Sequence, residues 1–285
     1  MITSPINDLY YSFGLFIDHQ IAQKGHAFQN VSSLFYKVND PELPGFSVYA
    51  APFKQPISDF SISGAQIPTG VYVNGNFCNK GQSGLIFDYL NNRAIFSGGN
   101  NNLIVSGNYS IKDFNVYLTT TTDEELIYET AFQIQASYAK PLSGLSKYDL
   151  TVPGIFITNS NFTNESYSLG GLIESTINIH CIILSNSKDQ LDAVGCLLAD
   201  EKYSSFPIMG SGFIPYNYYG DYRTALGNYN YLNYVSQFSN NLAYIADADF
   251  YKLSNRDFSN RYPDLRAAFA DFQIKYVRFP NHRVT

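Results

Sequence analysis

Residues 167–207, YSLGGLIESTINIHCIILSNSKDQLDAVGCLLADEKYSSFP, decide the reading of this chain, because they join one long strand directly to one capped helix. Over 173–184 the residues alternate. Ile173, Ser175, Ile177, Ile179, Cys181 and Ile183 fall on one face, and Glu174, Thr176, Asn178 and His180 on the other. A period of two with β-branched enrichment predicts a half-buried strand. Ser187 and Gln190 then stand three apart, the spacing of a capping box in which each side chain satisfies the other residue's free N–H. Leu191, Val194 and Leu198 follow at helical spacing and form a narrow apolar stripe.

Upstream, the chain opens on a helix. Ser4 can cap it, Pro5 suits its first turn, and Ile6, Tyr10, Phe13, Ile17 and Ile21 repeat at helical spacing until Gly25. Gly14 inside it costs about 1 kcal/mol relative to Ala, so tertiary packing must hold this helix. From 28 to 53, short extended runs are broken by Pro41, Pro44 and Pro52. A hairpin follows, with 85–90 and 93–96 flanking Asn91-Asn92 in a two-residue type I′ turn. Strands are expected at 103–106, 109–118 and 131–138, and a short helical turn at 122–125, its acidic residues at the favourable end. Pro141, Gly144, Pro153 and Gly154 mark a boundary at 140–153. Beyond it come a strand at 155–159, a polar loop, the strand–helix unit, and closing strands at 243–253 and 267–279. Between them lies a Gly-, Tyr- and Asn-rich segment, 209–241, read as an extended arm or as a loop ordered by neighbours. The expected fold is α+β: β-rich antiparallel sheets with a few packed helices in two lobes. The first lobe (1–145) carries the N-terminal helix and the second (146–285) the strand–helix unit and the arm.

Composition narrows the function. The chain has 285 residues, of which 45% are hydrophobic and only 15% charged, with 24 Tyr, 22 Phe and no Trp. A polar but weakly charged surface rich in Tyr suits burial against protein neighbours; the codon bias of an A/T-rich genome would produce the same composition. The net charge is −6, and the 18 basic residues are scattered singly, so no stripe tracks a phosphate backbone. No run approaches a membrane span, and no signal peptide is expected at the N-terminus. Cys78, Cys181 and Cys196 lack CxxC spacing; Cys181 and Cys196 read as small buried hydrophobes in a reducing compartment.

Candidates for chemistry are few. Of His19, His26, His180 and His282, only His180 stands within a clear pattern, and no nucleophile elbow accompanies it. Asp247 and Asp249 alternate on one strand, where paired carboxylates could bind calcium or hydrolyse glycosides. A polar strand face explains them as well. Gly210-Ser211-Gly212 lacks the third glycine of a dinucleotide fingerprint, and Pro215 follows. The sequons at Asn30, Asn108, Asn161 and Asn164 carry no weight without secretion. The Tyr-rich run from 216 to 234 suits a sugar-binding surface or an inter-subunit arm equally. No catalytic, cofactor-binding or metal-ligating residue is therefore assigned, and no enzyme is expected.

The order of features in GLIESTINIHCIILSNS followed by KDQLDAVGCLLAD resembles the tail-terminator or neck (head–tail connector) proteins of tailed bacteriophages, and MITSPINDLYYSFGLFIDHQ with FDYLNNRAIF is similar in general look to phage virion proteins. The resemblance covers about a seventh of the chain at motif level, and the first ~140 residues form a β-rich region that simple terminators lack. It implies a virion structural protein without catalytic residues. It also implies self-association into a homo-oligomeric ring, a hexamer in that family, with tail tube, sheath or connector proteins as neighbours, after assembly in the bacterial cytoplasm. By this analogy 173–184 and 187–200 build the ring and the 209–241 segment is the arm. The alternative is a tail-tip or fibre module that binds a carbohydrate or receptor through the Tyr/Asn surface.

Overall fold

The computed structural model describes residues 5–24, 27–98, 103–130, 132–134, 144–168, 171–253 and 264–279. Ser4, Gly25, His26 and His282 lie outside them. Along the chain run α1 (Pro5–Lys24), β1 (Phe28–Val38), β2 (Phe46–Ala50), β3 (Gly70–Val73), β4 (Asn76–Asn79), β5 (Leu85–Asp88), β6 (Arg93–Ser97), β7 (Val105–Lys112) and β8 (Asn115–Leu118). Then come β9 (Phe132–Ile134), β10 (Leu150–Val152), β11 (Gly154–Ser166), β12 (Ile173–Ser185), α2 (Lys188–Ala199), β13 (Ser205–Pro207), α3 (Tyr231–Gln237), β14 (Leu242–Lys252) and β15 (Arg266–Arg278). The fold is α+β, β-rich and two-lobed. One lobe is a seven-stranded sheet ordered β4-β3-β7-β1-β2-β6-β5, and the other a six-stranded sheet ordered β13-β14-β15-β12-β11-β8. Pairing is antiparallel throughout the first sheet and, apart from β8 on β11, throughout the second. A small parallel pair, β9 with β10, lies beside them.

β12 is the centre of the second sheet, paired with β15 along its whole length and with β11 on its other side. Its alternation has the expected consequence: Ile177, Ile179, Cys181 and Ile183 are buried in the main core, where α1 and α2 cover the sheet. The other face is covered only at one end. There Ile182 and Leu184 of β12 pack with Phe156, Leu126 and Ile127, so the last residues of β12 are buried on both faces. Ser187 caps α2 by accepting from the Gln190 N–H at 3.4 Å. The reciprocal half of the expected capping box is absent. Ser185 Oγ takes the Ser187 N–H at 3.1 Å and itself lies 3.4 Å from Gln190 Oε1, so a residue at the end of the strand does the work expected of Gln190.

α1 is buried almost all round, as a helix between two layers must be. Phe13 meets Phe272 edge-on at 5.0 Å and Phe206 at 5.6 Å, on the second sheet. The Tyr10 hydroxyl donates to the backbone carbonyl of Ile157. On its other side, His19, Asp18 and Ala22 meet Asp59, Lys112 and Ile57 of the first lobe. One continuous core thus runs through both sheets. Elements cross the 145/146 position in both directions: α1 and β8 join the second sheet, while residues 216–231 pack on the first lobe.

Three local expectations are corrected. Asp88 pairs with Arg93, so the hairpin loop is the four residues 89–92 rather than Asn91-Asn92 alone, and of the two asparagines only Asn92 has positive φ (53°). Asp88 causes this: its carboxylate accepts from the N–H groups of Leu90 and Asn91, which folds a longer turn around a side chain. The polar loop expected after residue 159 is instead strand, since β11 continues to Ser166 in register with β12 after a bulge between Asn159 and Asn161. Polar side chains hold it there, Asn178 donating to Asn161 at 2.7 Å and Ser175 to Asn164 at 2.6 Å. Cys196 is exposed, not buried, because it lies off the Leu191/Val194/Leu198 stripe of α2; Cys181 is buried as expected. Among the described residues no helix is long and apolar enough to cross a membrane.

Candidate functional site

The second sheet ends in an open edge. β8 pairs with β11 only at Gly154–Ile157, so among the described residues the outer side of β11 from Thr158 to Ser166 has no partner strand. Residues 161–168 are all exposed on both faces of the strand, with Phe162 50% and Tyr167 57% accessible. This far end of the hairpin is held by polar contacts in place of a core. Arg278 Nε donates to Ser175 Oγ at 3.0 Å, and Lys275 pairs with Glu174 at 2.8 Å. Val277 and Phe279 add exposed apolar surface on the neighbouring strand and its continuation. A long strand edge exposes a row of free N–H and C=O groups, and soluble proteins ordinarily blunt such edges with Lys, Pro or a covering segment. The residues here, NFTNES, contain neither Lys nor Pro; Glu165 is their one charge, and the bulge between Asn159 and Asn161 lies at their start.

His180 lies on the outer face of the same sheet, between two carboxylates. Its Nδ1 is 2.5 Å from Asp271 Oδ1, and its Nε2 stands 3.1 Å from Asp123 Oδ2, off the line of a good hydrogen bond. The Tyr251 hydroxyl donates to the other Asp271 oxygen at 2.9 Å; desolvation first, and then this bond to a carboxylate, push that phenol up to about 12. Asp271 on the Nδ1 side and Asp123 on the Nε2 side flank the ring with carboxylates. Asp123 begins the helical turn at 123–129, whose capping is reciprocal between Thr122 and Glu125, and His180 latches that turn to the sheet.

The remaining sequence candidates are placed as follows. Asp247 pairs with Lys202 at 2.7 Å, while Asp249 sits opposite Asp271 in register, and a bulge between Ile245 and Asp247 precedes both. Among the described residues no group of three or more His, Cys, Asp or Glu side chains could hold a metal ion. Gly210-Ser211-Gly212 enters a single 3-10 turn that seats Phe213 against Phe238 at 4.9 Å. The tyrosines of 209–241 mostly turn inward: Tyr222, Tyr229, Tyr231 and Tyr234 are buried in the main core. Tyr222 stacks on Tyr89 at 4.1 Å and donates to the Ser58 carbonyl, and burial pushes its phenol well up. The segment is a cover over the first lobe, and Tyr218 is its most exposed ring. Sequence reading missed the open edge because Asn, Ser and Thr repeats look like loop; the signal was their pairing with Asn178 and Ser175 across a hairpin. No protein-family model matches the chain, and no curated protein matches it.

Proposed function

We propose that this protein is a structural subunit that works by protein–protein assembly: a virion component of a tailed phage that forms a homo-oligomeric ring at the head–tail junction. The observation that carries the reading is the edge of β11 beyond Ile157, which has no partner strand among the described residues, is exposed over 161–166 and holds neither Lys nor Pro. The resemblance of the β12–α2 unit to terminator and neck proteins supplies the setting, and the weakly charged, Tyr-rich composition agrees with a surface made for protein neighbours. Size-exclusion chromatography with light scattering, followed by negative-stain imaging, tests it. Wild type is expected to run as a closed oligomer and Phe162→Lys as a smaller species. The far-UV circular dichroism of Phe162→Lys should match that of wild type, since exposed substitutions usually disturb a subunit's own fold by no more than about 0.5 kcal/mol. A wild-type monomer at all concentrations would overturn the reading.

A further inference from the structure

A cleft of about 500 Å³ opens between the lobes, walled by α1, residues 54–58, β8 and residues 147–150 and 214–217. Its size lies within the ordinary range of small-ligand sites, roughly 300–1,000 Å³. Leu15, Val116, Leu118, Leu150 and Ile214 make much of the wall apolar. The charged residues of the lining are three lysines (Lys54, Lys112, Lys147) and one aspartate (Asp18), an excess of positive charge in a chain whose net charge is −6. Lys112 is paired with Asp18, and Lys147 with Glu42.

Lys54 differs from both. It is 1% exposed, and among the described residues its ammonium donates to the Lys147 carbonyl at 2.8 Å, while Asp149 and Asp88 act on it only at longer range. Burial pulls it down to about 8, the response of a desolvated cation without a close counter-ion. An ammonium has three N–H donors, and one carbonyl satisfies one of them. A buried cation that lacks an acid at the wall of an apolar cleft is matched by an anion that arrives with its own apolar body.

We propose that this cleft binds a small amphipathic acid, its carboxylate held by Lys54 and its hydrocarbon seated against Leu15, Leu118 and Ile214. This site is separate from the β11 edge and independent of the assembly reading.

Isothermal titration with sodium decanoate, and with decylamine as the cation of equal length, tests the site on the full chain. Decanoate is expected to bind and decylamine not to. Lys54→Met should weaken decanoate by about tenfold or more, the loss of one charge-assisted hydrogen bond, with Leu15→Trp weakening it by filling the cleft. If Lys54→Met does not fold, the contrast between the two ligands together with Leu15→Trp decides. The proposal is overturned by absence of decanoate binding, by equal binding of both ligands, by a folded Lys54→Met that binds decanoate as wild type does, or by decanoate binding that Leu15→Trp leaves unchanged.

Discussion

Two glycines inside helices show how much a single position depends on its neighbour. Alanine is better than glycine in a helix by about 1 kcal/mol, so Gly14 in α1 and Gly195 in α2 both look improvable. A Cβ on Gly195, however, would lie 2.4 Å from the ring of Phe250, which β14 holds across the α2 surface. The ring can withdraw only as a unit, by turning about χ1 and χ2 out of its contact with α2, and overpacking of this kind costs about 1–3 kcal/mol. On Gly14 the same atom would meet the terminal methyl of Leu118 at 2.8 Å, the far end of a flexible side chain. Gly195→Ala is therefore expected to melt below wild type and Gly14→Ala at or above it. Thermal denaturation of the two variants checks this, and a Gly195→Ala protein more stable than wild type would contradict the geometry.

Among elements, one of the contacts that seat α1 on the first lobe centres on a buried carboxylate. Asp59 lies 2.7 Å from His19 Nδ1 and accepts from the N–H groups of Tyr231 and Ser61 at 3.0 and 2.9 Å, while the His19 ring stacks on Tyr231 at 4.4 Å. One side chain therefore joins the first helix, its own loop and the 209–241 cover. Burial alone would raise the Asp59 carboxyl, but the hydrogen bonds from His19, Tyr231 and Ser61 outweigh it and hold the group below its ordinary value. A carboxyl lowered in the folded state stabilises above its unfolded value of about 4, and that stabilisation is lost as the pH falls through the lower folded value. Asp59→Ala should cost about 3–5 kcal/mol, because it strands a buried imidazole and two N–H groups. Urea titrations at neutral and acid pH are the measurement. Asp59→Asn is expected to lose less stability on acidification than wild type does.

At the scale of the whole molecule, aromatic burial makes the fold sensitive to alkali. Tyr10 is pushed up to about 12 by burial, and the buried phenols of Tyr89, Tyr109, Tyr222, Tyr229 and Tyr231 are pushed up for the same reason. A tyrosine raised in the folded state contributes stability that is complete below its unfolded value of about 10 and is lost as the pH rises through the folded one. Tyrosinate absorbance should therefore appear in two stages: exposed rings such as Tyr218 first, then the buried set in one step coincident with unfolding. Parallel circular dichroism separates the stages, and smooth non-cooperative titration of all 24 tyrosines would contradict the described packing. The same rings explain why the 209–241 segment is fixed to the body although its sequence is only weakly periodic and its one helix, α3, is short.

The sequence by itself determined the elements whose side chains obey a period. Alternation located β12, β14 and β15 to within a residue or two, the Leu191/Val194/Leu198 stripe located α2, and the Phe13/Ile17/Ile21 spacing located α1. These are local signals, since each element's own spacing decides which face is apolar. Tertiary structure decided everything that needed a second segment. Asn161 and Asn164 are strand because Asn178 and Ser175 face them, Tyr222 and Tyr231 are core because Tyr89, Ser58 and Asp59 receive them, and α1 belongs between two sheets because Phe206 and Asp59 lie on opposite sides of it. The unpartnered β11 edge and the Lys54 cleft are of the same kind. The edge is defined by where β8 stops pairing and the cleft by which walls meet, and both depend on residues far apart in the chain.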